Sequence, residues 1–190
     1  MFDFLKQFLL NPRKIGAIAP SGKALAKKMI QPIHFEKAKC IVEYGPGTGS
    51  FTDGLVTNKV KETKLVLIEQ NKEFCSELKK KYGSKENIYI VHGNAADVCK
   101  YLKQMEIKGG VDCVISGLPF TSLPKKESES ILEATKKVIG KKGIFITFQY
   151  SMVKRKFFEQ FFDIRRNLRV MNNLPPAHVL VMKNKRQALN

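Results

Sequence analysis

The sequence predicts an α/β fold in which a mostly parallel seven-stranded sheet alternates with helices and closes on a terminal antiparallel hairpin. Short apolar runs alternate with helix-spaced patterns through the middle of the chain, and no internal repeat interrupts them. Two strand-like runs near the end are separated only by Asn173-Leu174-Pro175-Pro176, a connection short enough to join antiparallel neighbours alone. With 190 residues and 43% hydrophobic content, the chain has material for one sizeable core.

Taken in order, residues 1–39 stand outside the alternation and read as an N-terminal helical segment, and residues 40–190 as the main domain. Phe2, Phe4, Leu5, Phe8 and Leu9 make an apolar stripe at helical spacing, ended by Asn11-Pro12, and are expected to form a packed or interfacial lid. A second helix is expected from a Ser21 cap to Ile30, before Pro32. The apolar runs then predict strands at 40–44, 64–69, 88–91, 111–116 and 143–149. Helices are expected between them at 50–58, 71–82, 97–104 and 126–138, with a further helix at 152–162. Strands at 165–172 and 177–183 complete the sheet. The helical spacing of Phe157, Phe158, Phe161 and Phe162 favours core packing over lipid contact.

Composition excludes several classes. The four cysteines, Cys40, Cys75, Cys99 and Cys113, lie 35, 24 and 14 residues apart, which is neither a zinc nor a disulfide spacing. They are expected as buried thiols in a reducing cytosol, and no metal site is expected. No apolar stretch approaches the roughly 18 to 20 residues that span a bilayer. The start, Met1-Phe2-Asp3-Phe4, lacks the basic and apolar regions of a signal peptide. The expectation is a chain neither secreted nor membrane-spanning.

The net charge of +17 is unevenly placed. Residues 1–39 carry eight Lys/Arg against two acids and residues 150–190 carry nine against two, whereas the 110 residues between hold only +4. Basic ends flanking a near-neutral centre suit an anionic surface, either RNA phosphates or the headgroups of an anionic membrane. A lysine-rich chain with merely solvated faces is the plainer alternative.

Chemistry enters with Glu43-Tyr44-Gly45-Pro46-Gly47-Thr48-Gly49, which directly follows the first strand and precedes a helix. Gly45, Gly47 and Gly49 sit where the backbone must approach a ligand at the carboxyl end of the sheet. A dinucleotide fingerprint would place its third glycine one residue later to seat a pyrophosphate. Here the acid Glu43 precedes the first glycine. Its carboxylate would repel pyrophosphate and suit a cationic cofactor, so the motif is read as a site for S-adenosylmethionine, which carries an ammonium and a sulfonium. Glu69, followed by Gln70, closes the second strand where doubly wound folds hold ribose hydroxyls; a helix-capping role for Glu69 is compatible with that. Gly93-Asn94-Ala95-Ala96-Asp97 should line an adenine pocket, with a side-chain hydrogen bond from Asn94, the backbone amide of Ala95, and Asp97 as a helix cap.

The fourth strand runs into Ser116-Gly117-Leu118-Pro119-Phe120, where this fold presents groups to its substrate. The segment resembles the Asn-Leu-Pro-Tyr/Phe motif of ribosomal RNA adenine dimethyltransferases, which implies an aromatic ring stacked on a base and an Asn holding the exocyclic amine. Gly117 occupies the Asn position and cannot make that contact, although Ser116 would partly compensate. Nearly the whole chain is more similar to the soluble-type bacterial phospholipid N-methyltransferases, which methylate phosphatidylethanolamine. The resemblance lies in Phe8-Leu9-Leu10-Asn11-Pro12-Arg13-Lys14-Ile15-Gly16-Ala17-Ile18-Ala19-Pro20-Ser21, in Ser116–Phe120 with Ser122-Leu123-Pro124, and in Asn173-Leu174-Pro175-Pro176-Ala177. Asn94 stands where relatives commonly have Asp, and His178 where many have Arg.

The resemblance implies the Rossmann-like sheet of class I methyltransferases. It also implies a cytoplasmic enzyme peripheral to the inner face of the membrane, whose N-terminal helix inserts among lipids. Lys6, Arg13 and Lys14 beside the apolar stripe suit an interfacial helix. Lys154, Arg155, Lys156, Arg165, Arg166 and Arg169 would add attraction or hold a headgroup phosphate. For transfer to an amine, the backbone carbonyls of Ser116, Gly117 and Leu118, next to Pro119, and Tyr150 at the end of the fifth strand are the candidate catalytic groups. Phe120, Arg155 and His178 are the candidate substrate contacts, and Tyr150 and His178 each also read as structural. Two further readings stay open: an RNA adenine N6-methyltransferase, and a cofactor-binding module without catalysis. No obligate protein partner is evident.

Overall fold

The computed structural model describes residues 20–185. Seven strands, β1 (Cys40–Tyr44), β2 (Lys64–Glu69), β3 (Ile88–His92), β4 (Val111–Ser116), β5 (Ile139–Gln149), β6 (Phe162–Val170) and β7 (Ala177–Asn184), form one sheet in the order β3-β2-β1-β4-β5-β7-β6. The first five are mutually parallel, and β7 lies antiparallel between β5 and β6. Six α-helices are described: α1 (Pro20–Ile30), α2 (Thr52–Asn58), α3 (Lys72–Tyr82), α4 (Val98–Gln104), α5 (Lys125–Val138) and α6 (Arg155–Phe161), with short 3₁₀ turns at Ala95–Asp97 and Met152–Lys154.

Period-2 alternation sorts the strand side chains onto two faces. Val42, Tyr44, Val66, Ile68, Val114 and Phe145 pack with α4, α5 and α6. Ile41, Leu65, Leu67, Ile115 and Ile146 pack with Leu25 and Met29 of α1, Leu55 of α2 and Leu78 and Tyr82 of α3. Every residue of β1 is buried, as a central parallel strand covered on both faces requires. Burying a side chain of Leu or Ile size contributes about 1.5–3 kcal/mol, so these two layers supply most of the driving force. Within the segment 1–39, α1 packs against α2, β5, β6 and β7, and Leu25, Met29, Ile33 and Ala38 are buried in the core of the sheet. The stripe Phe2–Leu9 lies outside the described residues, as does nearly all of the 8–21 signature.

Most boundaries fall within two residues of the sequence reading, and four differences have a physical reason. First, α1 begins at Pro20, one residue before the Ser21 expected as its cap, and proline is favoured at a first helical position. Second, β5 starts at Ile139 instead of residue 143, because Ile139 already pairs with Val111 before a register shift. Third, α6 stops at Phe161 and β6 begins at once at Phe162, which pairs with Asn184. The helical spacing of the phenylalanines runs on to 162, and cross-strand pairing overrides it. Phe158, Phe161 and Phe162 are buried and Phe157 is half-buried, so the cluster is core. Fourth, β6 ends at Val170, two residues early, where a turn begins. The expectation of buried thiols holds for Cys40, Cys75 and Cys113; Cys99 is exposed instead, its Sγ reaching Ala134 O of α5 at 3.8 Å.

The chain proceeds outward from β1 to β2 and β3, then returns to place β4 on the other side of β1. The strand order therefore reverses between β1 and β4, and in open α/β sheets the crevice at such a point, outside the carboxyl ends of the strands, receives ligands. Tyr44 and Ser116, the last residues of β1 and β4, lie side by side there.

Candidate active site

Beyond the strand ends the backbone ladder continues for one more residue. Gly45 N–H donates to Ile68 O at 2.9 Å, Gly93 N–H to Glu69 O at 2.9 Å and Gly117 N–H to Tyr44 O at 2.8 Å. The loops after β1, β3 and β4 thereby converge on the β1/β4 crevice. Gly45, Gly47 and Gly49 have φ of 61°, 55° and 89°, the left-handed region open to glycine. A Cβ on Gly47 would meet nothing within 4 Å, so its outer face opens onto free space, a cradle for a ligand. A Cβ on Gly45 would come within 2.8 Å of Leu118 Cδ2, which fixes how closely the β1 and β4 loops approach.

Glu43 is completely buried. Its Oε2 accepts a hydrogen bond from Thr52 Oγ1 at 2.7 Å, while Oε1 has no partner. Burial pushes the carboxyl up to about 8, against the lowering effect of the Thr52 hydroxyl and with small contributions from Glu69 and Asp53. A buried carboxyl oxygen without a partner is an unmet demand, and an ammonium would answer it by holding the group in its charged form. Glu69, nearly buried, accepts from Gly47 N–H at 2.9 Å and from Asn71 N–H at 2.8 Å. It thus braces the glycine loop, and its remaining lone pairs are available for hydroxyl donors. Asn71, not Glu69, caps α3, accepting from Glu73 and Phe74 N–H. The residues present therefore fit S-adenosylmethionine: Glu43 would meet its ammonium and Glu69 its ribose hydroxyls.

Asn94 is only partly as expected. Its Oδ1 accepts from Ala96 N–H at 2.9 Å, capping the 3₁₀ turn, and its Nδ2 reaches Glu127 Oε1 at 3.3 Å. Asn94, with its side chain so engaged, acts as cap and tether, and Asp97 makes no side-chain cap hydrogen bond to α4. Ala95 is buried in the same loop. Gln70 is exposed, its carbonyl 3.0 Å from His92 Nε2.

On the acceptor side, Ser116 is fully buried. Its Oγ accepts from Leu118 N–H at 3.2 Å and its carbonyl accepts from Thr147 Oγ1 at 3.4 Å. Both groups are turned onto the protein, so Ser116 shapes the loop and does not compensate for the missing Asn. Gly117, Leu118 and Pro119 are half-exposed. The Leu118 carbonyl accepts from Phe120 N–H, and that of Pro119 from Ser122 and Leu123 N–H; the Gly117 carbonyl has no partner among the described residues. A Cβ at Gly117 would lie 2.8 Å from Gly45 O, so the loop closes against the glycine motif through a position with no room for a side chain.

Phe120, expected to stack on substrate, is instead a core residue with no exposed surface, edge-on to Phe145 and Phe158 at 6.3 and 5.3 Å. Tyr150 packs edge-on against Phe148, and burial raises its phenol, with the nearby Asn173 side chain acting in the opposite direction. Arg155 is held by Glu159 one helical turn on, at 2.8 Å. His178 Nδ1 lies 3.1 Å from Asn167 Oδ1 and beside Gln149 in register. Neither Gln149 nor Thr52 was visible as functional from sequence. Gln149, 4% exposed at the carboxyl end of β5, donates its amide to Phe148 O and leaves Oε1 unpartnered. Only its place at a strand end next to the acceptor loop marks it.

Comparison with known proteins agrees with this fold and cofactor. The family model described as ribosomal RNA adenine dimethylase matches residues 3–188. The chain is 30% identical to an ornithine lipid N-methyltransferase of Singulisphaera acidiphila over 178 residues, 93% of this chain and 92% of that one. It is 36% identical to ribosomal RNA small subunit methyltransferase A of Coxiella burnetii, over only 36% of this chain and 26% of that one. Among solved structures, the N-methyltransferase NodS of Bradyrhizobium japonicum, in complex with S-adenosyl-L-homocysteine, superposes with a TM-score of 0.74 over 97% of this chain and 98% of that one, at 10% identity, a likeness of fold. With the glycine loop, Glu43 and Glu69 at the switch point of a class I methyltransferase sheet, the chain belongs to the ribosomal RNA adenine dimethylase family and is an S-adenosylmethionine-dependent methyltransferase.

Proposed function

We propose that this methyltransferase acts on the amine of a phosphatidylethanolamine-type aminolipid at a membrane surface. The observation that carries the reading is Gly117, whose Cβ direction is filled by the Gly45 carbonyl at 2.8 Å. The loop has no amide side chain to hold a base, and Phe120 is shut into the core. A small alkylamine needs neither. A relative that matches 93% of this chain is named as an N-methyltransferase of ornithine lipid, which supports the same class.

S-adenosylmethionine supplies an electrophilic methyl on a sulfonium. The residues of this chain have three tasks. Glu43 and Glu69 fix the donor's position, and positioning accounts for most of the acceleration of an in-line displacement. The unpartnered carbonyl oxygens of Gly117 and Gln149 accept the N–H groups of a neutral amine and orient its lone pair. Buried Ser116 and the half-buried Leu118 side chain limit the access of water to the nucleophile. Transfer would leave a neutral thioether, and the nitrogen that gains the methyl would lose its surplus proton to solvent.

The test is to offer labelled S-adenosylmethionine with vesicles containing phosphatidylethanolamine, with vesicles containing ornithine lipid, and with unmodified ribosomal RNA. Label in phosphatidylethanolamine is expected. Label in ornithine lipid alone would keep the lipid amine and change the headgroup, and label in RNA alone would overturn the reading. RNA is the second reading because of the matching family model and the net charge of +17.

A further inference from the structure

Four large hydrophobic side chains are exposed among the described residues: Val60, Val153, Met171 and Leu174, at 40%, 84%, 69% and 86%. Exposed apolar residues scattered singly need no explanation. Here three of the four are gathered at one end of the molecule. β5 and β6 are both antiparallel to β7, so the β6–β7 turn projects from the end of the sheet at which β5 terminates. That is the carboxyl end, where the glycine loop and Gly117 lie. Met171 and Leu174 sit on this turn, and Val153 follows the end of β5 by four residues. β5 ends at Gln149, opposite His178 at the start of β7, so the loop after β5 and the β6–β7 turn lie side by side.

The turn is held firmly while its tips point outward. Asn173 is 5% exposed, and its Nδ2 donates to Pro175 O at 2.7 Å. The neighbourhood is cationic: Lys156 and Arg169 are exposed nearby, and the two acids of the stretch, Glu159 and Asp163, are each engaged by an arginine, Arg155 and Arg165. Apolar tips ringed by cations match the chemistry of an anionic lipid interface, where acyl chains accept the tips and headgroup phosphates meet the charges.

We propose that Val153, Met171 and Leu174 form a membrane-inserting rim, so that the open end of the active site docks flat on an anionic phospholipid surface. This rests on the lipid reading above and adds to it a surface of the main domain that engages the bilayer independently of residues 1–19. RNA offers phosphates but no apolar phase for the tips, which is why the lipid surface is the occupant.

The chain contains no tryptophan, so a single introduced one reports its own surroundings. Leu174→Trp, Met171→Trp and, as a control at the opposite end of the sheet, Val60→Trp are titrated as full-length protein with vesicles of phosphatidylglycerol and phosphatidylethanolamine. A blue shift and protection from aqueous quencher are expected for the first two and not for the control. The combined Val153→Ser, Met171→Ser, Leu174→Ser variant should lose about tenfold or more in vesicle partitioning, since each tip contributes a buried apolar group. It should keep its cofactor affinity and its methylation of a short-chain phosphatidylethanolamine present as monomers. No shift at position 174, an equal shift at position 60, or a shift with RNA but not vesicles would overturn the rim. Methylation of lipid with an unshifted Leu174→Trp would refute the rim and leave the proposed acceptor standing.

Discussion

Glu43 holds its proton to about pH 8 because burial outweighs its bond from Thr52. Its folded value is raised above the ordinary 4.5, so the folded state binds the proton more tightly than the unfolded chain. The stability it contributes is full below about 4.5, declines as pH rises, and is lost through about 8. Urea unfolding of the cofactor-free protein should therefore give a lower midpoint at pH 9 than at pH 6, and Glu43→Gln, which has no proton to lose, should flatten that slope. The same substitution removes a charge-assisted bond worth about 1.5–3 kcal/mol, so calorimetry should find S-adenosylmethionine binding weakened about tenfold or more. At Gly117 the expectation is steric. A methyl group 2.8 Å from Gly45 O displaces the two loops, and Gly117→Ala should cost about 1–3 kcal/mol in thermal or urea unfolding and depress turnover. Glu43, Glu69 and the three glycines were legible in the sequence because their chemistry is local to a strand end. Phe120 and Ser116 were not, since a motif in one dimension does not say which side of the backbone faces the core.

At the scale of elements, the strands were readable where burial on both faces makes continuous apolar runs, as in β1, β2 and β4. The α6–β6 junction was not. Phe157, Phe158, Phe161 and Phe162 keep helical spacing across it, and only the pairing of Phe162 with Asn184, 22 residues away in sequence, ends the helix. The bulge between Ile164 and Arg166 hides the period of β6 in the same way, placing two arginines in succession. The β6–β7 turn is the element whose order has most bearing on the proposed rim. Asn173→Ala would leave the Pro175 carbonyl without its partner, a loss of about 1–3 kcal/mol. Hydrogen exchange should then rise at residues 170–177 while β1 to β4 stay protected, whereas uniform loss of protection would mean that the turn is integral to the whole sheet.

For the molecule as a whole, the charge asymmetry was visible in the sequence but its spatial consequence was not. Basic residues crowd the two ends of the chain, and packing of α1 against β5, β6 and β7 brings the beginning of the described chain onto the same flank as its end. Lys23, Lys27 and Lys28 are carried by α1, which packs against β6, the strand that carries Arg165, Arg166 and Arg169. A field gathered on one flank attracts an anionic surface in a fixed orientation, at about 1 kcal/mol per basic residue close to it. Salt screens that attraction, with a Debye length of about 10 Å at 0.1 M, but leaves apolar insertion intact. Raising sodium chloride from about 0.05 M to about 0.5 M should therefore cut partitioning onto phosphatidylglycerol vesicles at least tenfold and then level off, the residue being the apolar contribution. The Val153→Ser, Met171→Ser, Leu174→Ser variant should show the same fall with a lower plateau. If binding instead falls log-linearly with salt to nothing, as neutralisation of phosphates alone dictates, charge is the whole of the attraction.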